Sequence, residues 1–154
     1  MAEVRFYHLT EQPLDAALPV MLERCLERGW RAVVRGTDAD RIEALSARLW
    51  TWRDESFLPH GTAADGEAAR QPVWLCCDGA NPNGAKALFL VDDAAVEPAE
   101  LAGMEVAAIL FDGHDEAAVA RARDQWRQVT EAGLKAVYWA PDAGGGWVKK
   151  HEAG

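Results

Sequence analysis

Arg123, Trp126 and Arg127 stand at i, i+3 and i+4 in a run that reads as helix, so their side chains are neighbours on one helical face. Two guanidiniums side by side can take carboxylates in bidentate fashion, including a chain-terminal one. An indole beside them can cover an apolar side chain. The chemistry on offer is non-covalent: a receptor for a short acidic peptide that ends in a hydrophobe. Helix periodicity alone leaves a second reading open, in which Trp126 joins an apolar stripe with Val119, Ala122 and Val129 and the arginines are only solvated.

Covalent chemistry finds less support. The run from Gly79 to Lys86 approaches a phosphate-binding loop, but Ala85 separates Gly84 from Lys86 and Ala87 replaces the required hydroxyl. It leads into a strand, so no helix N-terminus is offered to a phosphate. Its Asn-Pro-Asn-Gly core reads more simply as a hairpin turn. No GxGxxG follows the first strand and no GxSxG elbow occurs. His8, His60, His114 and His151 are scattered. His114 lies between Asp112 and Asp115, where a carboxylate–histidine pair competes with plain helix capping, and capping is the stronger reading. Cys25, Cys76 and Cys77 lack metal-ligand spacing, and an odd number with two adjacent makes a disulfide framework improbable. They read as inert thiols of a reducing, cytoplasmic protein. Neither a metal nor a cofactor is expected.

The elements that must hold these residues follow from periodicity. Val4–Leu9 is a strand with Val4, Phe6 and His8 on one face. Leu14–Arg28 has helical spacing and ends at Gly29; Pro19 means that the helix either begins near it or is kinked there. Ala32–Val34 is a short buried strand, and Ala39–Trp50 is a helix with Ile42, Leu45 and Leu49 along its stripe. Residues 53–72 form a long connection rich in Pro, Gly, Ala and Asp, a kind that is often functional. Strands at Val73–Cys76, Leu88–Val91, Met104–Phe111 and Leu134–Trp139 follow, with a helical turn at Glu97 or Pro98 and the longest helix at Asp115–Ala132, closed by Gly133. Trp147–Lys149 is a candidate last strand in the tail, residues 141–154. This alternation predicts one α/β domain over residues 1–154, with parallel pairs in its sheet.

Charge narrows the partners. The chain of 154 residues carries a net charge of −9, unsuited to holding a phosphate backbone non-specifically. Residues 116–150, however, hold six basic against four acidic side chains, a net +2 that leaves −11 elsewhere. A basic surface on an acidic body suits a compact acidic partner. No apolar run reaches the ~20 residues that cross a bilayer, so no membrane association is expected, and Met1–Thr10, with Glu3, Arg5 and His8, does not read as a signal peptide. Seven tryptophans are the other pointer to binding. Trp139 and Trp74 are core candidates, whereas Trp50 and Trp52 sit where a helix meets the long connection.

Four segments carry a family likeness: the opening Arg5-Phe6-Tyr7-His8-Leu9, the strand entry Gly29-Trp30-Arg31, the run from Trp50 through Glu55-Ser56-Phe57-Leu58-Pro59-His60, and the last helix with its exit, Ala122–Arg127 to Ala132-Gly133-Leu134. In order and spacing the chain resembles the chi subunit of bacterial DNA polymerase III over nearly its whole length. The resemblance implies a three-layer α/β/α fold with a mostly parallel or mixed sheet, no enzymatic activity, and two docking surfaces. One takes the acidic, hydrophobic C-terminal tail of single-stranded-DNA-binding protein and maps onto Arg123, Trp126 and Arg127. The other meets the psi subunit, or another clamp-loader component, and maps onto Trp50, Phe57, Pro59 and His60. Better-known relatives carry an aromatic and a lysine where this chain has Trp126 and Arg127, which keeps the chemistry, while Glu131 one turn on weakens the positive field. Phe57 and Leu58 read equally well as sheet-packing core. The competing reading, a small α/β enzyme using a nucleotide or cofactor, rests on fold class alone.

Overall fold

The structure, a computed structural model, describes residues 2–51, 59–79, 81–101, 103–144 and 146–153. Seven strands form one sheet: β1 (Glu3–Leu9), β2 (Ala32–Arg35), β3 (Val73–Cys76), β4 (Ala87–Leu90), β5 (Val106–Asp112), β6 (Lys135–Pro141) and β7 (Trp147–Ala153). Three α-helices accompany them: α1 (Leu14–Glu27), α2 (Ala39–Thr51) and α3 (Glu116–Glu131). The strand order is β3-β2-β4-β5-β1-β6-β7. Every pairing is parallel except that of β6 with β7. The mixed sheet and single α/β layer system agree with the expected fold class.

Alternation along β1 separates two cores. Tyr7 and Leu9 face one side, where Leu18 and Leu22 of α1 and Ile42, Leu45 and Leu49 of α2 cover Val34, Phe89 and Leu110. Val4 and Phe6 face the other, under Ala118, Ala122 and Val129 of α3 and the segment carrying Val96, Leu101 and Met104. The parallel strands β2 and β4 are buried along their whole length, as strands covered on both faces must be. Trp74 is buried in the second core, and Trp139 packs half-buried against the first.

Three details decide or correct the sequence reading. First, α1 begins at Leu14, where its helical spacing starts, so of the two roles left open for Pro19 the start of the helix is ruled out; the proline lies inside the helix and is buried. Its missing N–H costs one intrahelical bond that burial of the apolar face outweighs. Second, Asn-Pro-Asn-Gly is not a hairpin turn. β2 lies between β3 and β4, and all three run parallel, so the segment is a crossover. Asn83 is buried within it and donates to the carbonyls of Ala32 (3.1 Å) and Gln71 (2.8 Å), tying the crossover to β2. Third, β7 runs on to Ala153, four residues past the predicted end. The long connection also acquires structure where it is described: Gly61 bonds the β3 edge through Val73 and Leu75, and Ala68–Arg70 makes a turn of 3₁₀ helix.

Candidate functional site

α3 is held from behind. Asp115 accepts from the Ala117 N–H at its start (3.0 Å). The buried Gln125 accepts from the Val96 N–H (2.9 Å), and Arg121 pairs with Asp93 (2.8 Å). At the far end Gly133, at φ +80, closes the helix: its N–H bonds Thr130 and the Leu134 N–H bonds Val129. That exit drops the chain straight into β6, which places Tyr138 beneath the helix. The face left over carries Arg123, Trp126 and Arg127.

These three residues line one side of a groove of ≈ 800 Å³. His8, Phe111 and Tyr138 form its floor, and Lys150, His151 and Glu152 of β7 its outer wall. Trp126 is half-buried, 5.2 Å from Phe6 in a tilted pair and 6.3 Å from Tyr138 in an edge-on one, between ring centroids. It therefore packs on the second core, as the apolar-stripe reading has it, and presents its remaining face to the groove. Tyr138 shares a 2.7 Å hydrogen bond with His8 Nδ1, and the Nε2 of His8 is buried with no partner among the described residues. Burial pushes the Tyr138 phenol up from its usual range, with the nearby Arg123 charge acting against that shift. Gly113 fits where it is because a Cβ there would come within 2.0 Å of the His8 ring.

The charges differ in availability. Arg127 pairs with Asp124 at 2.7 Å on the exposed helix surface. Arg123 is exposed and makes no ion pair among the described residues, which in a chain of net charge −9 is an open invitation to an anion. Tyr138, His8 and the β7 residues were not singled out from the sequence for this site. The alternation of Val4, Phe6 and His8 was the one signal that could have put His8 under α3.

The second set of residues lies elsewhere. Trp50, 47% exposed at the end of α2, lies against His60 with the rings tilted and their centroids 4.0 Å apart. His60 itself is buried, and its Nε2 meets the Ser46 carbonyl at 3.0 Å. What a partner would meet there is the Trp50 ring and the half-buried Pro59. Phe57 lies outside the described residues, as do Trp52 and Leu58.

The place where this fold class would hold a cofactor is the crevice at the C-terminal ends of β1 and β5, whose following helices leave to opposite faces. That crevice, ≈ 550 Å³, is lined by Glu11, Asp92, Asp93, Asp112 and Asp115 against Arg41 and His114. Four of its five carboxylates are already engaged: Asp92 with Arg41 (3.1 Å), Asp93 with Arg121, and Asp112 and Asp115 in backbone bonds at the start of α3. His114 meets the Thr10 carbonyl (2.8 Å) rather than a carboxylate, so the Asp112–Asp115 segment is capping chemistry. A phosphate would face a row of acids here.

Comparison with known proteins decides the family. Residues 1–137 match the family described as DNA polymerase III chi subunit, HolC. This chain belongs to that family. It is 30% identical over 91 residues to a protein of Rickettsia prowazekii (strain Madrid E) named "Probable DNA polymerase III subunit chi", a match covering 59% of this chain and 55% of that relative, so the chain spans little more than half the curated relative's length. The chi family is a replication accessory component of DNA polymerase III and not a catalytic one. The matched residues of this chi-family chain include α2, the Trp50–His60 segment and α3 and stop at Val137, ahead of β7. Among the described residues no helix is long and apolar enough to cross a membrane, and no cluster of His, Cys, Asp and Glu could hold a metal ion.

Proposed function

We propose that this chi-family chain is an adaptor that binds the acidic, hydrophobic C-terminal tail of single-stranded-DNA-binding protein and connects it to the polymerase III clamp loader. The observation that carries the reading is the groove under α3: an unpaired arginine, a second arginine one helical turn on, and a half-exposed indole between them over an aromatic floor. Such a groove offers bidentate donors to carboxylates and an apolar seat for a terminal side chain. The connection to the clamp loader is assigned to the surface around Trp50, Pro59 and His60, and to the psi subunit or an equivalent component as partner; Phe57, which the family resemblance adds to that surface, lies outside the described residues. An exposed tryptophan set against a buried ring is a rigid anchor of the kind that dominates interfaces.

The test is calorimetric titration of the full chain with a peptide copying the last residues of the organism's own single-stranded-DNA-binding protein, at low and moderate salt. Saturable binding that weakens with salt is the expected result. Arg123→Ala should weaken it by about 1–2 kcal/mol, a charge-assisted contact discounted for the exposure of the guanidinium, which is roughly 5- to 30-fold in Kd. No binding by the wild-type chain at either salt concentration overturns the tail reading.

A further inference from the structure

The outer wall of the groove is β7, which the family match does not reach. β6 and β7 are out of simple register. Trp139 pairs with Lys149 and Tyr138 with His151, so Lys150 is the extra residue of a bulge. In an unbroken strand Lys149 and His151 would share a face and Lys150 would point the other way. The bulge sets two residues against one and re-aims the side chains around it. The result is that Lys150 and His151 both line the groove beside Tyr138. Lys149 is turned to the opposite face, where its ammonium lies 5.8 Å from the Trp139 ring centre and bonds Glu152 at 3.1 Å.

The charges along this wall point the same way. Among the described residues Glu152 is the one carboxylate lining the groove, and Lys135 (2.9 Å) and Lys149 (3.1 Å) already hold it, which keeps its carboxyl below the usual range. Lys150 makes no ion pair among the described residues, like Arg123 on the opposite wall. His151 sets its ring against Tyr138, 6.3 Å between centroids and nearly perpendicular, and so extends the aromatic floor. Two unpaired cations thus face each other across an aromatic trough.

We propose that Lys150 and His151 are binding residues of this groove, so that an acidic peptide is held across it, between the arginines of α3 and the bulge of β7, instead of on α3 alone. The proposal rests on the tail-binding reading above and names the half of the site that the family match leaves out. A peptide with carboxylates on both flanks of an apolar residue fits such a trough better than one with a single acidic end.

The experiment repeats the titration with the same peptide on full-length Lys150→Ala, Lys150→Glu, Lys149→Ala and Arg123→Ala chains, each checked for an unchanged unfolding midpoint. Lys150→Ala should weaken binding by about five-fold and flatten its salt dependence, and Lys150→Glu should weaken it further, as expected for one cation lost or inverted. Lys149→Ala should weaken binding less than Lys150→Ala, because its ammonium faces away and touches the groove only through Glu152, which Lys135 still holds. Wild-type affinity in both Lys150 variants, with Arg123→Ala still weakened, overturns the two-walled site and leaves the tail reading intact. Equal losses in the Lys149 and Lys150 variants also overturn it, since general charge would then explain both. No binding by the wild-type chain overturns both proposals together.

Discussion

Trp126→Ala removes a side chain that both lines the groove and packs on the core, and its two effects can be separated. The indole covers Phe6, which is completely buried beneath it, and leans on Tyr138. A fully buried tryptophan cut to alanine costs ~3–5 kcal/mol. Trp126 is only half-buried, so about 2 kcal/mol is the appropriate loss. For a domain of this length that lowers the unfolding midpoint by about 4–8 °C. Binding should fall by more, ~2 kcal/mol or above and hence at least roughly 30-fold, because the ring is the central apolar wall of the groove. Scanning calorimetry measures the first effect, and peptide titration at 25 °C, where the variant is still folded, measures the second. Trp126→Phe should recover most of the stability. An unchanged midpoint in Trp126→Ala refutes the packing on Phe6, and an unchanged peptide affinity refutes the placement of Trp126 in the site, whatever the midpoint does.

Other expectations concern the scaffold. Arg35 is buried and held by Glu100, whose carboxylate is about a quarter exposed. Glu100→Gln should therefore cost about 2–3 kcal/mol in urea unfolding, below the ~3–5 of a fully buried pair, and a neutral result would mean the arginine finds water instead. At Glu3 burial pushes the carboxyl up, but Arg5 and Lys135 outweigh it and hold the group below its usual range. A depressed carboxyl stabilises the fold above its unfolded pKa and loses that contribution as pH falls through the folded value. The urea midpoint should drop below about pH 4.5, and less steeply in Glu3→Gln. Burial raises the Cys25 thiol to about 11, so under native conditions at pH 8 it should react with a maleimide far more slowly than the exposed Cys77; rapid labelling of Cys25 would contradict the packing of α1.

The features that sequence made legible are those set by local pattern. Strand alternation in β1, the stripe of α2, and the cap and glycine that bound α3 all stand where periodicity put them. Asn-Pro-Asn-Gly misled because the same backbone chemistry serves a hairpin and a crossover, and only the non-local pairing with β2 tells them apart. β7 was cut short because an edge strand with Lys149, Lys150, His151 and Glu152 exposed has no apolar alternation to follow. The site was half visible. Arg123, Trp126 and Arg127 are close in sequence and announce themselves by helical spacing, whereas Tyr138, His8 and Lys150 join them only through the sheet and one bulge. His60 looked like a surface residue beside Pro59, but its ring is taken up by Trp50 and the Ser46 carbonyl.

The position of β1 has a consequence for how the chain comes into being. β1, which precedes every other strand of the sheet along the chain, is the second from the β6–β7 end of the parallel set and is zipped between β5 and β6, which follow it by roughly a hundred residues. While the ribosome is delivering residues up to β4, β1 has neither neighbour, and Val4 and Phe6 have no helix to cover them. Its ladder closes only once β6 has emerged, so contact order is high and closure of the sheet is late and concerted. The groove under α3 is built on that same last closure, since His8 comes from β1 and Tyr138 from β6. A nascent or truncated chain would thus have no groove to offer, and a chain that presents one has already completed its sheet.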